Sequence, residues 1–137
     1  MKILTIFTGG TIGTIQGDNY SIDVYDKTPE MLMERYARSA GDDVEFIART
    51  PFFKLSESIT PKELTELVSC VEKNLGEGYA GVLILHGTDT MAYTASTLSF
   101  ALSHLDVPVV LTGANYPIDD RRSNGFRNFV ASIDFIK

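Results

Sequence analysis

Two short apolar runs, Ile3 to Phe7 and Val82 to Leu85, each lead directly into a turn of threonine and glycine. The first turn reads Thr8-Gly9-Gly10-Thr11-Ile12, and the second reads His86-Gly87-Thr88-Asp89-Thr90-Met91. Runs of this kind read as β-strands, so hydroxyls and bare backbone N–H groups stand where two strands end. In an open α/β sheet that is where ligands bind. Glycine lets the main chain come close to a small molecule, and threonine offers a hydroxyl that can become a nucleophile.

The rest of the chain alternates in the same sense. Pro29–Ser39 reads as a helix with Thr28 as its N-cap and Pro29 at its first position. Val44–Ala48 reads as a strand. Thr60-Pro61-Lys62-Glu63 has the pattern of a capping box opening a helix that runs to Asn74, and Gly76 and Gly78 follow. Gly81–Leu85 is a strand, Thr90 to His104 a helix, Val107–Leu111 a strand and Asn124–Ile136 a last helix. This β-α order predicts a single doubly wound α/β domain of Rossmann or flavodoxin-like type, with a mainly parallel sheet and helices on both faces. Two stretches break the alternation. Gly13–Val24 reads as a hairpin or loop beside the first turn. Ala114–Gly125, with Asp119-Asp120-Arg121-Arg122 at its centre, reads as a solvated loop that arginine–carboxylate pairing could order.

Composition narrows the function classes. The 137 residues suit one domain with a real core, and 44% hydrophobic against 22% charged residues is a globular balance. A net charge of −6 argues against nucleic acid as a partner. No apolar run reaches membrane-spanning length, and the N-terminus reads as a strand, not a signal peptide, so the expected compartment is the cytoplasm. The one cysteine, Cys70, falls at an apolar helical position and reads as a buried small hydrophobe.

A threonine hydroxyl is a weak nucleophile at neutral pH and needs a base or a hydrogen-bond relay. Two threonines in one glycine turn, facing a Thr-Asp pair on another, could supply an attacking hydroxyl, a relay and a carboxylate. Backbone N–H groups of Gly10 and Thr88 could then stabilise an oxyanion. No histidine triad is evident, and His86 and His104 suit packing or capping roles. Alone, either turn is as readily structural, since Thr and Asp are common helix caps. Thr-Gly-Gly-Thr also lacks the marks of a P-loop or a dinucleotide fingerprint. Finding both turns behind strands of one doubly wound pattern favours a site.

On these residues the chain resembles the bacterial-type L-asparaginases and the related glutaminase-asparaginases. Thr8-Gly9-Gly10-Thr11-Ile12 is similar to that family's first signature and His86-Gly87-Thr88-Asp89-Thr90-Met91 to its second. Val109-Val110-Leu111-Thr112-Gly113-Ala114 and Arg122-Ser123-Asn124-Gly125 also look like family segments. The resemblance implies hydrolysis of the side-chain amide of asparagine, or of glutamine, with no metal or organic cofactor. It makes Thr11 the nucleophile and Thr88 and Asp89 the second catalytic group, Thr88 beside the amide and Asp89 on the substrate α-amino group. It places Tyr20, by spacing, as a lid tyrosine that helps to activate the nucleophile. Ser56 and Glu57 would bind the α-carboxylate and α-amino groups, and Gly10 and Gly87 would line the substrate.

Some features depart from the family pattern. Ser58 stands where the family often has Asp or Asn, and Asn124 replaces the usual aspartate. Family members continue through a strand whose lysine completes a Thr-Lys-Asp group, then through a smaller C-terminal domain that contributes to a neighbouring subunit's site. That domain is expected to be absent here. No lysine matches the missing one by spacing, which leaves Lys54 and Lys137 to be judged in space. Apolar surface left uncovered would then drive self-association into a homo-oligomer or binding of a partner that supplies the missing part. Beside an amidohydrolase, two readings stay open: a non-catalytic module that binds a small amino acid, and a fragment that supplies ammonia to a partner chain.

Overall fold

The computed structural model describes residues 1–16, 22–24, 27–40 and 43–137. In chain order the elements are β1 (Lys2–Phe7), β2 (Thr14–Gln16), β3 (Ile22–Val24), α1 (Thr28–Ala40), β4 (Glu45–Arg49), α2 (Pro61–Asn74), β5 (Tyr79–Leu85), α3 (Met91–Ala101), β6 (Val109–Thr112) and α4 (Gly125–Ile136). Short 3-10 turns occupy Thr11–Gly13 and Ser56–Ser58.

The main sheet has the order β4-β1-β5-β6 and is parallel throughout, with Ile3 opposite Phe46 and Gly81, and Val82 opposite Val109. Its first strand lies inside, so the winding reverses between β1 and β5, as in flavodoxin-like sheets. Successive side chains of the two central strands feed two cores. Ile3, Phe7, Leu83 and Leu85 pack with Leu32 and Tyr36 of α1 and Phe129 and Ile133 of α4. Leu4, Ile6, Val82 and Ile84 pack with Leu67 and Val71 of α2 and Leu98 and Leu102 of α3. Both faces of these strands are therefore apolar, the signature of a parallel sheet with helices on each side. Tyr36, Phe46 and Phe129 close the first core with edge-on and tilted ring contacts, 5.5 Å between the Tyr36 and Phe46 centroids.

The hairpin expected in Gly13–Val24 is present as β2 and β3, antiparallel with Thr14 opposite Val24. Strands β4 and β6 begin one and two residues later than the pattern predicted, and α3 ends at Ala101, short of His104. One cap is corrected. The first helical bond of α1 runs from Met31 N to Lys27 O, so Thr28 stands inside the helix, not at its N-cap. Its buried hydroxyl has no hydrogen-bond partner among the described residues. The loop after β6 is more ordered than a solvated loop. Arg122 donates to both carboxylate oxygens of Asp120, at 3.1 and 2.7 Å, and lies over the Tyr116 ring, while Pro117 and Ile118 turn inward. Cys70 is half-buried, and desolvation pushes its thiol pKa up. No helix of the described residues is long and apolar enough to cross a membrane.

The capping box of α2 forms as the sequence predicts, with Glu63 accepting from the Thr60 N–H at 2.9 Å and from the Thr60 hydroxyl. Lys54 Nζ adds an ion pair at 2.6 Å. The Lys54 hydrogen bond first, then those from Thr60, hold the Glu63 carboxyl at about 2, below its ordinary 4.5.

A carboxylate whose folded pKa is depressed stabilises the fold above its unfolded pKa and loses that effect as pH falls through the folded one. Urea denaturation across pH 5 to 2 is expected to show this loss, and Glu63→Gln is expected to flatten that part of the profile. Leu83→Ala, at a fully buried position of the central strand, is expected to cost about 2–5 kcal/mol in the same assay at pH 7.

Candidate functional site

At the carboxyl ends of β1 and β5 three stretches of chain converge. Thr8 continues the pairing past the end of β1, its N–H and its hydroxyl both donating to Leu85 O at 3.1 and 2.9 Å. Gly10 has φ 73°, in the left-handed region that favours glycine, and a Cβ there would overlap Gly87 Cα and N. The two signature turns thus touch main chain to main chain. Gly87 in turn faces Ser56. A Cβ on Gly87 would stand 2.5 Å from both Ser56 Cβ and Oγ.

The third stretch is held by the backbone of Lys54. Its N–H donates to Thr8 O at 2.9 Å and its carbonyl accepts from Gly10 N–H at 3.0 Å, a single parallel bridge that pairs it with Gly9. The chain then enters the Ser56–Ser58 turn, where Ser56 is buried and Glu57 exposed. Ser56 Oγ donates to Asp89 Oδ2 at 3.4 Å, and Thr90 Oγ1 donates to Ser56 O at 3.0 Å. Thr11 opens the 3-10 turn after Gly10, partly exposed, with its carbonyl accepting from the Thr14 hydroxyl at 2.7 Å. Thr88 and Asp89 are exposed.

Gly10, Thr11, Ser56, Glu57, Gly87, Thr88 and Asp89 therefore sit on adjoining turns at one end of the sheet. Tyr20 lies outside the described residues.

One expectation is corrected, and the question of the two lysines is answered. The Gly10 N–H is already bonded to Lys54 O, which leaves the Thr88 N–H as the remaining oxyanion donor of the two considered. Neither candidate lysine presents a free amine to the site. Lys54 Nζ is paired with Glu63, and Lys137 Nζ is paired with Asp43 at 2.6 Å, just before β4 and so at the opposite end of the sheet. The Asp43 hydrogen bond raises the Lys137 pKa, and the same pairing lowers that of Asp43.

His86 has the packing role expected of it. It is fully buried, with Nδ1 2.7 Å from Gly87 O and Nε2 3.0 Å from Thr94 Oγ1. Burial lowers its pKa, which favours the neutral ring. With Nδ1 protonated, the ring donates to Gly87 O and accepts from Thr94, so it fastens the second turn to α3. Among the described residues no His, Cys, Asp and Glu side chains group as a metal site would require.

Gly113 is a further contributor. A Cβ there would lie 2.6 Å from His86 O and 3.2 Å from Thr88 Cγ2, so the end of β6 packs directly behind the second turn. The signal was available, because Thr112-Gly113 is a third threonine–glycine pair placed just after a strand. Lys54 acts through its main chain, for which side-chain patterns carry no signal.

The family model for the asparaginase N-terminal region matches residues 2–137. L-asparaginase 1 of Escherichia coli (strain K12) is 35% identical over 134 residues, covering 96% of this chain and 39% of the relative. A glutamyl-tRNA(Gln) amidotransferase subunit of Pyrococcus horikoshii is 36% identical over 134 residues, covering 96% of this chain and 30% of the relative. The solved thermostable L-asparaginase from Thermococcus kodakarensis superposes with a TM-score of 0.81 at 30% identity, over 100% of this chain and 41% of that one. The chain thus spans about two fifths or less of the length of these proteins. Signature turns, sheet order and whole-length similarity agree, and the chain belongs to the asparaginase family, whose N-terminal region it matches.

Proposed function

We propose that this chain carries the nucleophile and the substrate-recognition groups of an L-asparaginase-type amidohydrolase. The observation that supports it is the convergence of the Gly10–Thr11, Ser56–Glu57 and Gly87–Asp89 turns at the switch point of the sheet. In this reading Thr11 Oγ attacks the side-chain amide carbon of L-asparagine, and the carbonyl electrons move onto oxygen beside the Thr88 N–H. Collapse of that adduct breaks the C–N bond; the nitrogen takes up the proton given up by the Thr11 hydroxyl and leaves as ammonia, and an ester remains on Thr11. Water then attacks the ester, giving L-aspartate and restoring the threonine.

Asp89 and Glu57 supply the negative charge that suits the substrate α-ammonium. The 3.4 Å contact between Ser56 and Asp89 is long enough to be exchanged for one to the substrate α-carboxylate. Tyr20 takes its role by spacing, as the residue that assists the Thr11 hydroxyl. The chemistry calls for no cofactor and suits the cytoplasm, where the lone Cys70 stays a thiol.

A proton acceptor for the Thr88–Asp89 pair must come from elsewhere, since Lys54 and Lys137 are engaged. Further polypeptide, a second copy or a partner chain would supply it. Similarity to the glutamyl-tRNA(Gln) amidotransferase favours, as a second reading, delivery of the ammonia to a partner enzyme.

Purified chain is expected to release ammonia from L-asparagine about 10²–10⁴-fold more slowly than the E. coli relative, the usual effect of a missing acid–base group. Thr11→Ala is expected to abolish release while keeping L-aspartate binding in calorimetry. Release that persists in Thr11→Ala would remove the nucleophile assignment, and binding without any release would make the chain a binding module. Gly87→Ala, which drives a methyl into Ser56, is expected to weaken L-aspartate binding at least tenfold with the circular dichroism spectrum unchanged.

A further inference from the structure

The segment that carries Ser56 and Glu57 is thinly held along its own length. Of residues 55–59 Ser56 alone is buried, and Leu55, the apolar side chain before it, is 44% exposed. The turn closes on itself, with the Ser58 N–H donating to Leu55 O at 3.0 Å and the Ile59 N–H to Ser56 O at 3.1 Å. Bonds of this kind shape a turn without fixing where it stands relative to the sheet.

Its placement comes from its two ends. At one end the main chain of Lys54 lies directly on Gly9, where a Cβ would stand 2.3 Å from Lys54 O and 2.7 Å from Lys54 N. At the other, Thr60 opens α2, whose Leu67 and Val71 are fully buried in the second core. One carboxylate joins these ends. Glu63 Oε1 accepts from Lys54 Nζ at 2.6 Å, while Oε2 accepts from the Thr60 N–H at 2.9 Å and from the Thr60 hydroxyl. A capping box requires only the Thr60 half of this arrangement. The main-chain bonds of Lys54 require no ammonium, so the ion pair is a separate device.

We propose that Glu63 is a positioning residue for substrate recognition, cinching the two ends of segment 55–59 through Lys54 and Thr60. On the functional reading above, on which this proposal rests, Ser56 and Glu57 meet the substrate α-carboxylate and α-ammonium beside Asp89. Ser56 Oγ stands 3.4 Å from Asp89 Oδ2, so a small drift of the segment would separate groups that have to act on one ligand. Tying both ends in advance lowers the ordering cost that the ligand would otherwise meet on binding. Glu63 touches no substrate atom in this arrangement and acts only through the chain it holds.

Lys54→Met keeps an apolar stem and the main-chain bonds and leaves Glu63 on Thr60, so it removes the tie without removing the cap. Calorimetry well below the unfolding transition is expected to show L-aspartate binding about tenfold weaker in Lys54→Met and in Glu63→Gln. Lys54→Arg, which can still donate to Glu63, is expected to bind as the unaltered chain does. Hydrogen exchange at the Ser58 and Ile59 amides is expected to quicken about tenfold in Lys54→Met, with the amides of β1 and β5 unchanged. Unchanged affinity or unchanged exchange in Lys54→Met would overturn the proposal, even if the variant unfolded at lower temperature. An unaltered chain that bound no L-aspartate would instead remove the functional reading. The exchange of the two amides would then still decide whether Glu63 holds the segment.

Discussion

The contact between Gly10 and Gly87 is the constraint on which the arrangement of this site rests. Parallel pairing of β1 with β5 brings the ends of two strands side by side, but only the missing side chains let the turns beyond them meet main chain to main chain. The left-handed backbone at Gly10 then sets the direction in which Thr11 leaves the strand. Ser56 occupies the space a side chain on Gly87 would need, so one glycine determines the spacing of three segments. The hydroxyls and carboxylates of the site are presented on this framework, and Ser56 alone among them is buried within it.

Most of the fold was legible because its strands and helices obey different periodicities. The apolar runs of β1 and β5 are buried on both faces, and the capping box at Thr60 has a local chemistry that tertiary contacts leave intact. The misread places have physical causes. Thr28 has the composition of a cap, yet the Lys27 carbonyl opens the helix and the threonine is drawn into the core. Polar loop residues around Arg122 read as solvated because the sequence does not reveal that Asp120 meets the guanidinium with both oxygens, or that Ile118 N–H bonds to Thr14 O.

Legibility of the site followed the same division. The turns after β1 and β5 announced themselves through residue type, and Ser56 and Glu57 through likeness to a family. The backbone of Lys54 was invisible, since its contribution is a pair of amide hydrogen bonds available to any residue but proline. The engagement of the lysine side chains is a property of space alone: Glu63 and Asp43 take up the two amines.

Lys54 joins the first turn by its backbone and the start of α2 by its ammonium. Thr8 and Leu85, which its neighbours bring together, are 77 residues apart in the chain. Each of these links closes a long loop, and loop closure must precede the contacts that reward it. The consequence is one of timing. Local helices can flicker into being on their own, but the cluster of turns exists only once β1, β4 and β5 have found one another. The cluster can therefore form no earlier than those three strands pair, and its presence reports that β4, β1 and β5 have been joined.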